Sequence, residues 1–496
     1  MTSGPLDSTT RKRTPIRAPR GNVLSCKGWH QEAALRMLMN ALDPEVAERP
    51  DEMIACGTNG KPVEDWQSYL EIAVALKTLD SEQTLLVQPG KPAESFRTSA
   101  PAPRVLIKPV TTDGEEAATS WMYVGTQGAL QETYETFRSA ARVHFGGDLA
   151  GRLVVSAGMG SLGGAQPLAA QLNGAAFLGI DADPARIKRR VKSGYCDVMV
   201  SSLDEALRIL KNAVRQRAAR SVGLVGNAAD VISELAERGS VPDILTDRTA
   251  AQDPLLGYWP QGLSMAEASD LRRSNPAEAR RKSLESIAVQ VRAMMALQKL
   301  GASVFDFGNR IFAKAREAGV AEACPEAPRE EHRSVDRAPM RWIALSGEPG
   351  DIDRIDRLVL EMFSGDENLA RFIRLARKHV RAQGLPARVC WMRSADRARF
   401  GVAVNELVAD GDLRGPVVLG RDFLDCGGAA ERRAHPRLAI AQGGELPIGE
   451  ELLDATNGAS WAAIRGSGAD PARLAQAIVA DGTSGTAARI EQVMSR

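Results

Sequence analysis

The spacing of apolar residues predicts alternating helices and strands along most of the chain. In the run QEAALRMLMNAL, one helical face carries Ala34, Leu35, Leu38 and Leu42. The run EDWQSYLEIAVALKTL is also amphipathic with a helical period, and TLLVQPG and PRVLIKPV then follow as short apolar strands. Residues 22–140 are therefore expected to form the first part of an α/β core domain.

A regular alternation of strands and helices begins near Leu153. The apolar strings RLVVSAG, AAFLGID, SVGLVGN and PDILTD are separated by helical segments, and a long helix is predicted from about Ala277 to Leu300. This rhythm is typical of a doubly wound parallel sheet with right-handed crossovers. We assign residues 141–338 to this domain, ending in a charged surface connection at 317–338. Residues 339–496, with the strand-like strings MRWIALSG, PARVCWM and GPVVLGRD, are expected to be the second part of the core.

Composition narrows the possible functions. The 63 Lys+Arg against 62 Asp+Glu give no electrostatic reason to expect nucleic acid or an anionic membrane as a partner. Five histidines argue against a His-rich zinc enzyme, and no metal site is predicted. The six cysteines, which form no CxxC pair, and the absence of a signal peptide indicate a cytoplasmic protein with reduced thiols. No apolar run approaches the roughly 20 residues of a membrane helix. Residues 1–21 are basic and poor in apolar residues, which predicts a disordered arm.

The most specific local signal is a GxGxxG turn directly after the strand at 153. Gly158 permits a tight turn, Gly160 lets a pyrophosphate approach the backbone, and Gly163 lets helix pack on strand. The next strand ends in Asp181, 23 residues after Gly158, where a carboxylate can bind a ribose hydroxyl. Arg186 beyond it can reach a phosphate or adenine. The alternative is a packing turn beside a solvent-facing acid.

A second strand-to-helix turn, GNAAD, contains Asn227. Its amide could hydrogen-bond a cofactor, or it could be an ordinary helix cap. The sequence favours neither interpretation.

Several longer strings, in order along residues 24–463, resemble the urocanase (urocanate hydratase) family. They include LSCKGWHQEAALRMLMNALDPEVAE, MYVGTQGALQETYETF, SAGMGSLGGAQPLAAQLNGA, VGLVGNAADVISELAERG, DPLLGYWPQG, QGLPARVCW and GRDFLDCG. The resemblance implies a homodimer of histidine metabolism in which a Rossmann-like NAD-binding domain is inserted into a larger α/β core. In that family, tightly bound NAD+ is an electrophile: the imidazole of urocanate attacks the nicotinamide, and water adds to the acrylate.

The resemblance also implies site residues. The NAD+ contacts would be Gly57, Gln127, Gly158, Gly160, Ser161, Leu162, Gly163, Asp181, Arg186, Asn227, Ala228, Arg248, Thr249, Ala250, Ala251, Gln252, Tyr258 and Phe307. Cys390 matches a family cysteine associated with activity, Asp425 matches an acid near the substrate, and Arg341 is a candidate clamp for a carboxylate. Without the family, Cys390 could be a packing thiol, Asp425 a turn cap, and Arg341 an ion-pair partner.

The chain departs from the family pattern around the expected active site. Residues 56–61 read CGTNGK instead of a Tyr-Gly-Gly turn, residues 248–252 read RTAAQ instead of QTSAH, and Phe307 and Phe423 replace a tyrosine and a histidine. The His- and Gly-rich block near the C-terminus is reduced to IRGSGADPARLAQ. The glycine-rich turn thus matches the family pattern, while the residues expected around the reactive end of the cofactor differ from it.

Three functions remain open. The first is an NAD+-dependent hydro-lyase that acts on urocanate or a related unsaturated heteroaromatic acid. The second is another reaction through a transient nicotinamide adduct, an isomerisation or cyclisation in a biosynthetic pathway. The third is a non-catalytic NAD-binding paralogue.

Overall fold

The fold is taken from a computed structural model that describes residues 15–48, 63–88, 90–98, 102–108, 120–321, 337–421, 456–465 and 473–495. Its helices are α1 (Trp29–Ala41), α2 (Trp66–Thr78), α3 (Leu130–Phe145), α4 (Gln166–Leu172), α5 (Pro184–Ser193), α6 (Leu203–Arg215), α7 (Ala228–Glu237), α8 (Met265–Ser274), α9 (Pro276–Lys299), α10 (Ile311–Glu317), α11 (Pro349–Met362), α12 (Glu367–His379), α13 (Ser394–Ala409) and α14 (Ser484–Met494). Its strands are β1 (Gln83–Val87), β2 (Pro92–Arg97), β3 (Val105–Ile107), β4 (Leu153–Ala157), β5 (Ala176–Asp181), β6 (Val198–Val200), β7 (Ser221–Val225), β8 (Ile244–Asp247), β9 (Ser303–Val304), β10 (Arg337–Ala344), β11 (Ala387–Arg393), β12 (Val417–Arg421), β13 (Trp461–Arg465) and β14 (Arg473–Ala480). Short 3-10 turns lie at Gly125–Ala129 and Gly163–Ala165.

The central part of the chain forms a six-stranded parallel sheet in the order β6-β7-β5-β4-β8-β9. The four predicted strands are β4, β5, β7 and β8, and the predicted long helix is α9, so the doubly wound parallel domain is confirmed. Strands β6 and β9 were missed because they have only three and two residues. Strands β5, β6 and β7 lie on one side of β4 in the sheet, and β8 and β9 lie on the other side. The chain crosses from one side to the other between β7 and β8, which makes a topological switch point beside β4.

The residues before and after this domain share a second, eight-stranded sheet. Its order is β11-β10-β12-β14-β13-β3-β1-β2, and β3 pairs in parallel with both β1 and β13. The N-terminal and C-terminal segments are therefore joined in one sheet. The exact domain limits stay a prediction, since the expected boundary at 140/141 falls inside α3.

The two sheets pack around a common core. Val154 and Phe177 of the parallel sheet belong to the same buried cluster as Trp342 and Cys390 of the mixed sheet, and Phe137 on α3 lies in that cluster. This shared cluster joins the parallel sheet to the mixed sheet.

Helix α1 has the predicted apolar face, with Ala34, Leu35, Leu38 and Leu42 all buried. Its polar face is buried too: Arg36 Nε lies 2.8 Å from Glu32 Oε1, and neither side chain is exposed. Apolar periodicity could not show this, because the partners of the polar face come from distant segments such as Leu345, whose carbonyl accepts from Arg36 Nη1.

Part of the predicted disordered arm is ordered. The Gly21 N–H donates to the Ser346 carbonyl (2.9 Å), and Arg20 Nη2 donates to the Gly384 carbonyl (3.1 Å). The arm prediction is thus too long at its C-terminal end, and residues 1–14 lie outside the described residues. Among the helices of the described segments, none combines the length and apolarity needed to cross a membrane.

Candidate functional site

The glycine-rich turn after β4 is packed so closely that two of its glycines have no room for a side chain. Gly158 has a φ of +87°, and a Cβ built on it would lie 2.6 Å from the carbonyl carbon and oxygen of Arg248. A Cβ on Gly163 would lie 2.1 Å from the carbonyl oxygen of Gly158. Backbone atoms cannot swing aside as a flexible side chain can, so the turn closes only with glycine at both positions.

The middle of the turn is more open. A Cβ on Gly160 would lie 3.5 Å from Glu48 Oε2, which is an ordinary van der Waals contact. Packing within the protein therefore does not require glycine at this position. Within the described residues, the N–H groups of residues 160–163 donate no hydrogen bond, and Ser161 and Leu162 are solvent-accessible. Unpaired N–H groups at the start of a helical segment suit an anion.

Asp181 ends β5 beside this turn and is almost fully buried. Its Oδ2 accepts from the Met159 N–H (2.7 Å), and its Oδ1 accepts from the Asp183 N–H (2.9 Å). Arg186 Nη1 lies 3.6 Å from Oδ2. Each carboxylate oxygen can accept more than one hydrogen bond, so Asp181 can hold the turn and still accept from a ligand hydroxyl.

A small cavity of about 30 Å³ lies at the carboxyl ends of β4, β5, β7 and β8. The predicted residues that line it are Gly158, Asp181, Arg186, Asn227, Ala228, Thr249 and Tyr258; the lining residues that were not predicted are Ile180, Ala182, Gly257 and Trp259. The cavity has room for a water molecule, and a nucleoside needs it to widen.

Asn227 is a helix cap, which is one of the two roles considered for it. Its Oδ1 accepts from the Ala229 N–H (2.9 Å) and caps α7, while its Nδ2 donates to the Trp259 carbonyl (3.0 Å) on the opposite wall of the cavity. The cap fixes the side chain in the cavity wall.

The loop after β8 is held by a buried polar network. Tyr258 Oη donates to Gln290 Oε1 (2.6 Å), and Gln290 Nε2 donates to Asp247 Oδ2 (2.6 Å). Asp247 Oδ1 accepts from Thr249 Oγ1 (2.6 Å) and from Asn309 Nδ2. Burial raises the pKa of the Asp247 carboxyl to about 6, although these hydrogen bonds act in the opposite direction. The network fixes the cavity wall that Thr249 and Tyr258 form.

Arg248 points away from this cavity. Its Cζ lies 4.8 Å from the centre of the Phe307 ring, its Nη1 donates to the Phe307 carbonyl (3.3 Å), and its Nη2 lies 3.8 Å from Glu132 Oε2. The loop then continues through Ala250, Ala251 and Gln252, and the Ala250 carbonyl packs where a Cβ of Gly257 would stand. The residues predicted as one cofactor contact set therefore lie on two sides of β4.

Gln127 lies on the 3-10 turn before α3. Its Nε2 donates to the Gln383 carbonyl (3.2 Å), and its buried Oε1 has no hydrogen-bond partner among the described residues. The same turn is tied to the glycine-rich turn, because Arg190 donates to both Thr126 Oγ1 (2.6 Å) and the Met159 carbonyl (3.0 Å). The unpaired amide oxygen is available to a ligand donor.

The structure does not bring together the two catalytic candidates that it describes, Cys390 and Arg341. Cys390 pairs with Met340, whereas Arg341 pairs with Val389, so Cys390 and Arg341 point to opposite faces of the mixed sheet. Cys390 is fully buried, and burial raises the pKa of its thiol well above the ordinary value, which disfavours a reactive thiolate.

Arg341 is also buried, and its Nη1 donates to the Met122 carbonyl. Neither Arg341 nor Cys390 lines the cavity. Asp425 and Gly57 lie outside the described residues.

Comparison with known protein families identifies the domains of this chain. The Urocanase N-terminal domain matches residues 16–151, the Urocanase Rossmann-like domain matches residues 125–328, and the Urocanase C-terminal domain matches residues 334–496. The chain belongs to the urocanase family. The urocanase Rossmann-like domain contains the parallel sheet and the glycine-rich turn, and the other two urocanase domains supply the mixed sheet.

One solved structure that this urocanase-family chain is similar to is shikimate 5-dehydrogenase from Listeria monocytogenes, in complex with shikimate and NAD. The identity is 12%, the match covers 38% of this chain and 56% of that chain, and the TM-score is 0.19. A likeness this weak carries no argument about function.

Sequence reasoning missed several residues that shape this urocanase-family site. Trp259 lines the cavity, and Arg272 stacks on its ring with Cζ 4.0 Å from the ring centre. Asp247 and Gln290 form the network beneath Tyr258. Asp247 is the acid at the end of the predicted strand PDILTD, so its position could have been noticed in the sequence. No local sequence pattern connects Asp247 with Gln290 on α9.

We expect Asp247→Asn to destabilise this urocanase-family protein by about 2 kcal/mol, because an amide NH₂ would then face the donors of Thr249, Gln290 or Asn309. Urea unfolding at neutral pH measures the loss. The control is Asp270→Asn on α8, where the side chain is 70% exposed and a change within about 0.5 kcal/mol is expected. Equal stability of the two variants would show that the network does not hold the loop.

Proposed function

We propose that this protein binds NAD+ at the switch point beside β4 and adds water to urocanate or a related unsaturated heteroaromatic acid. The observation that carries the proposal is the turn in which Gly158 and Gly163 have no room for a Cβ, next to the buried Asp181 carboxylate at the end of β5. Family membership supports a hydro-lyase that uses this cofactor.

The residues present fit a dinucleotide. Asp181 would accept from ribose hydroxyls, Arg186 and the N–H groups of residues 160–163 would hold phosphate oxygens, and Asn227 and Tyr258 would form the wall on the adenosine side. The unpaired Oε1 of Gln127 would accept from the other half of the cofactor. When bound, NAD+ would supply an electrophile that draws electron density from the substrate ring.

The chain's own contribution is to bind, orient and exclude water. The aromatic side chains of Phe137, Phe305 and Phe307 form a buried group beside Arg248, which gives a low-polarity environment on the β8 side of the turn. Asp425, outside the described residues, is proposed to transfer a proton. The geometry of Cys390 supports a packing role.

A direct test uses the purified protein in two steps. We expect denaturation to release NAD+, detectable by chromatography, and the native protein to lower the near-ultraviolet absorbance of added urocanate. If no NAD+ is released and none binds at millimolar concentration, both the hydro-lyase and every other NAD+-dependent reaction are excluded.

A second candidate is an isomerisation or cyclisation with the same cofactor. It is favoured by the departures from the family pattern around the expected active site, such as Phe307 and Phe423 in place of a tyrosine and a histidine. Release of NAD+ with no change in urocanate absorbance would support this reaction or a non-catalytic NAD-binding role. Turnover of a panel of unsaturated heteroaromatic acids, followed by mass spectrometry, would then separate these two.

A further inference from the structure

A second, larger cavity of about 610 Å³ lies at the edge of the core domain where β10 ends and β11 begins. Its volume falls within the range of about 300–1,000 Å³ that is typical of small-molecule sites. No described residue lines both this cavity and the one beside the glycine-rich turn. The larger cavity is therefore a candidate site for a ligand other than the cofactor or the substrate.

The walls of this cavity come from distant segments that hold one another in place. The stem of Arg20 packs on Gly347, where φ is +77° and a Cβ would overlap Arg20 Cδ. Gly384 has a φ of +64°, and a Cβ there would lie 2.5 Å from Asn40 Oδ1, which accepts from the Leu385 N–H (2.8 Å). The two glycines thus permit the close contacts that shape the cavity.

Asp43 places a buried carboxylate in the cavity wall. The residue is only 3% exposed, and its Oδ1 accepts from the Glu45 N–H (2.8 Å). Within the described segments, Oδ2 accepts no hydrogen bond and no ion pair joins Asp43 to a lysine or arginine. A buried carboxylate is costly unless a donor or a cation pairs with it, so Asp43 Oδ2 suits a ligand ammonium group.

Two arginines line the same cavity. Arg17 Nη1 lies 2.8 Å from Glu45 Oε1, so part of its guanidinium is already engaged. Arg20 is exposed to solvent, its Nη2 donates to the Gly384 carbonyl (3.1 Å), and it forms no ion pair with the residues that the structure describes. A guanidinium has five N–H donors and matches a carboxylate bidentately, so Arg20 has donors left for a ligand carboxylate.

The acid and the arginines are near each other without being in contact. Burial raises the pKa of the Asp43 carboxyl, and the charges of Arg17 and Arg20 act in the opposite direction. A carboxylate and a guanidinium that line one cavity without pairing match the two charges of a zwitterion. An α-amino acid carries its ammonium and carboxylate groups on the same carbon atom.

The rest of the lining indicates the kind of side chain. Ala18, Pro349, Ala382 and Pro386 contribute apolar surface to the cavity. Apolar surface gains free energy when an apolar group covers it. The cavity volume is more than glycine or alanine would fill, which favours an amino acid with a large apolar side chain.

We propose that this cavity binds a free α-amino acid with a large apolar side chain, its ammonium at Asp43 and its carboxylate at Arg20. The cavity is separate from the glycine-rich turn, so this binding does not depend on NAD+.

The test uses L-phenylalanine and two analogues that each lack one charge. N-acetyl-L-phenylalanine has no ammonium group, and phenethylamine has no carboxylate. Isothermal titration calorimetry of the full chain at neutral pH measures each affinity. We expect the wild type to bind L-phenylalanine with a Kd below about 1 mM and each analogue at least about tenfold more weakly.

Two variants assign the charges to their partners. Asp43→Asn keeps an oxygen that can accept from the Glu45 N–H, and it should bind L-phenylalanine about tenfold more weakly and lose the preference over the N-acetyl analogue. Arg20→Gln should instead lose the preference over phenethylamine. The control is Asp204→Asn on α6, whose side chain is 77% exposed and which should bind like the wild type.

Equal wild-type affinity for L-phenylalanine and either analogue would overturn the assignment, as would unchanged affinity in Asp43→Asn or Arg20→Gln. Absence of binding of both L-phenylalanine and L-leucine at about 10 mM would also overturn it. If a variant does not fold, the wild-type affinities for the three probes decide alone.

Discussion

Gly163→Ala is expected to abolish NAD+ retention and to weaken NAD+ binding by about a hundredfold or more. The added Cβ would stand 2.1 Å from the Gly158 carbonyl oxygen and 2.8 Å from its carbon, so the turn has to open. Forcing one methyl group into a packed site costs about 1–3 kcal/mol of stability, and the displaced N–H groups no longer converge on a phosphate. NAD+ released from denatured protein and calorimetric titration of NAD+ measure the two effects.

The matched control is Gly350→Ala in the first turn of α11. A Cβ there meets nothing within 4 Å, and alanine is the better helix former, so stability should be equal or higher by up to about 1 kcal/mol, with NAD+ binding unchanged. If Gly163→Ala keeps its NAD+ as Gly350→Ala does, the turn is not the phosphate site.

The second large effect is loss of stability in acid through His30. Burial, together with the nearby Arg489 charge, lowers the pKa of the His30 ring to about 4, from 6.5. Its Nδ1–H donates to Ser460 Oγ (2.7 Å), and its Nε2 accepts from Arg489 Nη1 (2.7 Å), so the folded protein holds the ring neutral. Between pH 6.5 and 4, His30 is protonated in the unfolded chain but stays neutral in the folded protein. Stability is therefore complete above pH 6.5, and about 3 kcal/mol of it is lost as the pH falls to 4.

Urea unfolding of wild type and His30→Asn between pH 7 and 4 isolates this contribution from that of the carboxylates. The variant is expected to be less stable at pH 7 and to lose less stability on acidification. His144→Asn, at an exposed position, should keep the wild-type slope. Identical slopes for His30→Asn and the wild type would mean that His30 is not the acid-sensitive group.

The sequence was sufficient for the parallel domain and the position of its glycine-rich turn because both depend on local patterns. Strand-helix alternation identified β4, β5, β7 and β8, and the spacing from Gly158 to Asp181 placed an acid at the next strand end. Contacts between residues that are far apart in the sequence could not be predicted from local patterns. Arg248 and Phe307 are 59 residues apart, and the stacking of one on the other depends on where β8 and β9 end.

The prediction of disorder from composition was wrong for the end of the N-terminal segment, and the reason is related. The segment that contains Arg17 and Arg20 is basic and poor in apolar residues, yet Arg20 packs on Gly347 and donates to Gly384. The order of this segment comes from backbone and guanidinium contacts with distant residues and not from burial of its own apolar residues. Hydropathy cannot reveal such an attachment.

The order of strands in the mixed sheet has a consequence for how the protein is made. Strand β14, the last of the described strands along the chain, lies between β12 and β13 in the interior of the sheet. The parallel domain is complete by β9 and can fold while the rest is still being synthesised, because domains generally fold as units from the N-terminal side. Strand β3 cannot pair with β13 until β13 has been synthesised, which is after the whole parallel domain. The glycine-rich turn can thus form early, whereas the mixed sheet is completed later.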